Sequence, residues 1–129
     1  MKSMNPGKAA AQAAHCATLF ERYIYTETNV AIRNLYEDWC NSTLQGFGTK
    51  LTFSIKESDF ALLEELYKND RTFENSLFGI CHDPTYPLQD GNVIHYLPIN
   101  TGCFMFINAN DVGGKIGKFF AEKGIEKMK

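Results

Sequence analysis

From Cys103 to Ile107 the stretch Gly-Cys-Phe-Met-Phe-Ile-Asn (102–108) carries no polar side chain. A strand sends alternate side chains to opposite faces, so a strand without a polar face must be covered on both sides. Helices elsewhere in the chain have to supply that cover. With 129 residues there is room for one ordinary domain and too little for two. The expectation is a single α/β domain over 1–129, a three-layer α/β/α sandwich around a small mixed β-sheet.

The helices are legible. Asn5 suits a cap and Pro6 a first helical position, and the alanine-rich stretch behind them predicts a helix to about Tyr25. Ala31, Leu35 and Trp39, four apart, predict a second helix over about 27–42. Gly46 and Gly48 break that pattern. Leu51, Phe53 and Ile55 alternate with Thr52, Ser54 and Lys56, which predicts a strand over 50–56. A third helix is predicted over about 58–69, with Phe60, Leu63, Leu66 and Tyr67 inward. Residues 76–81 predict a second strand. Pro84, Pro87 and Asp90-Gly91 make 82–91 a turn-rich loop, followed by a short extended piece at 92–97. After 102–108, a last helix from Asp111 carries Val112, Ile116, Phe119 and Phe120, weakened by Gly113, Gly114 and Gly117.

Bulk numbers exclude several classes. Hydrophobic residues at 44% and charged residues at 22% give a packed globular chain rather than a disordered one. No apolar run approaches the ~20 residues that span a bilayer, and the start lacks a signal peptide's apolar core, so a cytoplasmic protein without a membrane is expected. The net charge of -2 argues against a general nucleic-acid coat protein. A local basic stretch remains: residues 111–129 hold Lys115, Lys118, Lys123, Lys127 and Lys129 against Asp111, Glu122 and Glu126, and its plainer reading is a solvated helix face. Cys16, Cys40, Cys81 and Cys103 form no C-x-x-C pair and read as reduced, buried small hydrophobes. Zinc ligation by Cys81, His82, His95 and Cys103 lacks the spacing of structural zinc sites, so neither metal nor other cofactor is expected.

Two places could carry chemistry. Lys8, Gln12 and His15, at offsets of four and seven, share one stripe of the first helix. Lys8 opposes the helix dipole, and local rules are most often broken at functional sites. The N–H groups of Gly7 and Lys8 with the ammonium would make an anion site for a phosphate or an oxyanion. A solvated polar face is the competing reading. The second place is the loop holding Asp83, Thr85 and Tyr86 between Pro84 and Pro87, beyond the carboxyl end of a strand. A proline-set turn competes there. His95 is either a packed histidine or a catalytic one.

The stretch "MNPGKAAAQAAHCA" (4–17) resembles the opening motif of the type 2 peptidyl-tRNA hydrolases, roughly M-G-K-G-K-x-A-A-Q-x-x-H-A-A, and the order of the later elements is similar. "TGCFMFIN" (101–108) sits where that family has a threonine-led last strand. The resemblance implies a hydrolase cleaving the ester between a peptide and the 3′ end of tRNA. It carries the catalytic lysine onto Lys8, the motif glutamine and histidine onto Gln12 and His15, and the aspartate of a D-A-G-R-T-Q-like loop onto Asp83. Pro87 stands where the loop threonine would be, and Tyr86 replaces the arginine. Expected catalytic residues are thus Lys8, Asp83, Thr85 and His95. Expected substrate-binding residues are Gly7, Gln12, His15 and Tyr86. The partner implied is peptidyl-tRNA, through its 3′ end and acceptor stem, with phosphate contacts from Lys8, Lys2 and the C-terminal lysines. The alternative is a non-catalytic tRNA- or protein-binding module on the same scaffold. The family has a strand before the lysine helix where this sequence has Met1–Met4, so an upstream start, or a strand from another chain, is expected. An exposed sheet edge would also suit a homodimer.

Overall fold

The computed structural model describes residues 5–69, 75–108 and 112–128. Lys2, Asp111, Lys129 and the side chain of Val112 lie outside them. Helix α1 spans Pro6–Thr26 and α2 spans Val30–Asn41. Strand β1 is Phe53–Ser54, and helix α3 is Glu57–Asn69. Strands β2 (Leu77–Asp90) and β3 (Val93–Phe106) follow. A turn over Val112–Ile116, kinked at Gly114 where φ -95° and ψ -122° are not helical, leads into α4 (Gly117–Lys123), and β4 (Glu126–Lys127) comes last.

Asn5 caps α1 as its chemistry suggests: its side chain accepts from the Lys8 N–H at 2.9 Å. At the other end the Ile24 carbonyl accepts the N–H of the capping Glu27, and the Arg33 guanidinium donates to the Ile24 and Glu27 carbonyls as well. Asn29 caps α2 by accepting from the Ala31 and Ile32 N–H groups. The inward face of α2 is Ile32, Leu35, Tyr36 and Trp39, while Ala31 is exposed. The expected stripe is therefore rotated by one residue, because the aromatic pair at 36 and 39 has more area to bury than alanine. Trp39 also explains Gly48. Its ring lies where a Cβ would be, 2.2 Å away, and Gly48 holds a φ of +68°.

The strands depart most from expectation. Residues 82–91 are not a loop, and the extended piece expected at 92–97 is the start of a much longer strand. β2 and β3 form one long antiparallel hairpin, turning at Gly91-Asn92 with Gly91 at φ +60°. The register shifts between Cys81 and His82 and again between Asp83 and Tyr86, and the second irregularity absorbs Pro84, which cannot donate to a ladder. β1 does not join this hairpin. It pairs antiparallel with β4, Phe53 opposite Lys127. Both sheets of the described residues are two-stranded and antiparallel, so the expected mixed sheet is not what forms. Mixed α/β content is as expected.

Apolar side chains gather in two clusters. Phe20, Ile24, Ile32 and Phe106 make one, with Phe104, Leu77 and the α2 aromatics packed on it. Leu63 and Ile116 centre the other, with Cys103, Met105 and Ile107 from the β3 side and Phe119 and Phe120 from α4. The apolar run 102–108 thus divides its alternate side chains between two cores, as its lack of a polar face requires. All four cysteines are free. Burial pushes the Cys103 thiol up to about 11, and burial with the neighbouring Cys81 and Cys103 thiols pushes Cys16 up to about 12. Both remain protonated, and the unreactive hydrophobe is the fitting description.

Candidate functional site

α1 lies against β2, and this packing brings the helix stripe to the strand. Gln12 is buried. Its Nε2 donates to Asp83 Oδ2 at 3.0 Å, and its Oε1 accepts from the hydroxyl of Thr101, also buried. Asp83 Oδ1 accepts from the Thr85 N–H at 2.9 Å. An ionised carboxylate can only accept, so Gln12 must turn its amide nitrogen to Asp83 and its oxygen to Thr101. The charge on Asp83 thereby fixes the direction of each bond back to β3.

That charge is well held. The Thr85 N–H lowers the Asp83 pKa below its ordinary value, and Gln12, a nearby His15 and the Thr85 side chain add to this against a partial desolvation. A group with a depressed native pKa adds stability above its unfolded value and loses it as the pH falls through the native one. The window here lies below about pH 4. Carbon-detected NMR titration of Asp83 should give a midpoint below the ordinary aspartate value of about 3.9. Gln12→Leu should move that midpoint upward. An unshifted wild-type midpoint would contradict the network.

Lys8 sits one turn before Gln12. Its Nζ donates to the Pro87 carbonyl at 2.9 Å and lies 5.2 Å from the centre of the Tyr86 ring. These contacts offset the unfavourable helix dipole and leave two ammonium protons for a ligand. The Lys8 N–H is already taken by Asn5. Among the described residues, Gly7 keeps the free N–H of this first turn.

Two expected site residues stand elsewhere or act otherwise. Tyr86 is 1% exposed, so it supports Lys8 from beneath rather than touching a substrate. Its hydroxyl has no hydrogen-bond partner among the described residues. Tyr86→Phe should therefore leave stability unchanged or raise it by up to about 1 kcal/mol, read from the urea midpoint. A loss of more than that would give the hydroxyl a hidden role. His95 pairs with Leu88 near the hairpin turn, its Nε2 3.7 Å from Asp90 Oδ2. That is four residues from the Asp83–Ile99 pair, about 13 Å along the strand, and outside the Gln12 network. Thr85 and His15 do come beside Asp83.

Sequence reading assigned no role to Thr101, although a lone hydroxyl opening an apolar run was its signal. It also missed Arg22, which continues the stripe of Lys8, Gln12 and His15 at the next seven-residue step. His15, Thr18, Leu19 and Arg22 face residues 80–84 across an open cleft of about 450 Å³. Beside it, His82 Nδ1 is 2.9 Å from Asn100 Oδ1. Among the described residues, no three His, Cys, Asp or Glu side chains converge as metal ligands, and no helix is long and apolar enough to cross a membrane. No family model matches the chain, and neither a curated protein nor a solved structure is significantly similar to it.

Proposed function

We propose that this protein is a peptidyl-tRNA hydrolase acting in the cytoplasm, cleaving the ester between a peptide and the 3′ end of tRNA. The observation that carries the reading is the bonded chain Thr101–Gln12–Asp83 with Lys8 one turn away. The lysine, glutamine and aspartate are those singled out by the motif resemblance, and they come from segments 71 residues apart. The two cores filled by alternate side chains of β3 favour a three-layer arrangement, with the hairpin between helical layers.

Ester hydrolysis needs a placed water and a site for the oxyanion. Asp83, ionised and with a lone pair free on each oxygen, orients the water. Its depressed pKa makes it a weak base, so positioning outweighs proton abstraction. Lys8 and the Gly7 N–H stabilise the oxyanion as the carbonyl becomes tetrahedral. The water oxygen ends on the acyl carbon, and its proton ends on the ribose oxygen that leaves. Thr85 holds Asp83, and His15 borders the substrate. The acceptor stem lies on the lysine-bearing surface.

One observation favours a binding module instead: the Lys8 ammonium is engaged by Pro87, where the resemblance would have a threonine. Release of labelled peptide from a peptidyl-tRNA decides between them. Turnover supports the hydrolase. Binding without turnover, unaffected by Asp83→Asn, overturns it.

A further inference from the structure

The cleft beside Asp83 extends along α1 past the proposed hydrolytic centre. Its α1 wall is the continuation of the catalytic stripe, ending in Arg22. The guanidinium forms no ion pair among the described residues. Leu19, Ile80 and Pro84 give the cleft an apolar lining, and His15 and His82 add two flat rings. The Asn100 side chain orients the His82 ring through Nδ1. Asp83 is the acid in the lining, and each of its oxygens accepts one hydrogen bond, Oδ1 from Thr85 and Oδ2 from Gln12. Ten residues separate Gln12 from Arg22, which is about 15 Å along the helix.

An apolar lining, planar rings and an unpaired guanidinium at the far end suit a single-stranded nucleic acid. Such strands bind by stacking bases on flat side chains and by setting phosphates on cations. We propose that this cleft takes the single-stranded RNA leading to the scissile ester, with a phosphodiester on Arg22 and bases against His15 and His82. The proposal rests on the reading of the chain as acting on peptidyl-tRNA, and it names the subsite that would hold the RNA.

The test is fluorescence anisotropy with a labelled hexaribonucleotide bearing the tRNA 3′-terminal sequence, titrated over a range of salt. Arg22→Gln should weaken binding about five- to tenfold. It should also make the slope of log K against log salt shallower by about 0.7, the loss of one single-strand phosphate contact. Arg22→Lys should keep the wild-type slope, which a merely structural role of Arg22 would not predict. Unchanged affinity and slope in Arg22→Gln overturn the proposal. So does equal binding of adenosine monophosphate, which would mark a mononucleotide site rather than a strand path. The two readings fail separately. Arg22-dependent binding without peptide release leaves the cleft and removes the hydrolase. Peptide release with an unaltered KM in Arg22→Gln does the reverse.

Discussion

Asp83→Asn should lower peptide release from peptidyl-tRNA by about 100-fold or more, with the fold intact. Asparagine matches the size of aspartate, so the hairpin irregularity that carries residue 83 has no reason to change. Its amide oxygen can still accept from the Thr85 N–H. Its amide nitrogen would then face the Gln12 nitrogen, two donors together. Gln12 can rotate its amide, and the Thr101 hydroxyl can turn from donor to acceptor, because both groups serve either role. The cost is one hydroxyl proton without a partner, about 1 kcal/mol. Thermal melting should register that small loss, while the rate falls by orders of magnitude because no negative charge remains to orient the water. Lys8→Met is the companion variant. It keeps an apolar stem over Tyr86 and removes the ammonium, which should cost about 10²- to 10³-fold in kcat, as loss of an oxyanion donor does. Full activity in both variants would remove this site from the chemistry.

What the sequence disclosed about this site follows from which contacts are periodic. Lys8, Gln12 and His15 are legible because helical spacing alone puts them on one stripe. Asp83 is legible because it stands just past the apolar stretch 76–81, although β2 runs on through it. The bond joining the two depends on α1 packing against β2, and no local pattern encodes it. Thr101 is 89 residues from Gln12, so its hydroxyl looked like the plain start of an apolar strand. Tyr86 misled for a related reason. Between two prolines it read as a loop residue, yet the hairpin continues through it and turns it inward, where it is the most buried large side chain of the described residues. Prolines are sound evidence against a regular ladder, and the ladder here is irregular where Pro84 stands. The strand predicted over 50–56 shrinks to two residues because its partner β4 offers only two.

The largest loss of stability should come from Phe20→Ala. Phe20 is 5% exposed, and its ring meets those of Tyr36, Trp39, Phe104 and Phe106 at centroid distances of 5.0 to 6.0 Å. Those rings come from α2 and β3, so this one side chain ties α1 to both. Truncation removes the transfer free energy of the ring and leaves a cavity that four large neighbours cannot fill without shifting, about 3–5 kcal/mol together. Against the 5–15 kcal/mol typical of a domain, that is a fall in Tm of about 10–20 °C. Tyr25 is the internal control. It lies on the same helix, is 88% exposed, and its alanine variant should stay within about 0.5 kcal/mol of the wild type. The effect should also reach the site. Gln12 lies eight residues before Phe20, about 12 Å along α1, and meets Asp83 across the same α1–β2 packing. Loosening the aromatic cluster weakens what presses that helix to the hairpin. Phe20→Ala should therefore lose peptide release at temperatures below its own melting transition, and Phe20→Leu, which fills most of the space, should recover it. A loss below about 1 kcal/mol in urea unfolding of Phe20→Ala would mean that the aromatic cluster does not hold α1 in place.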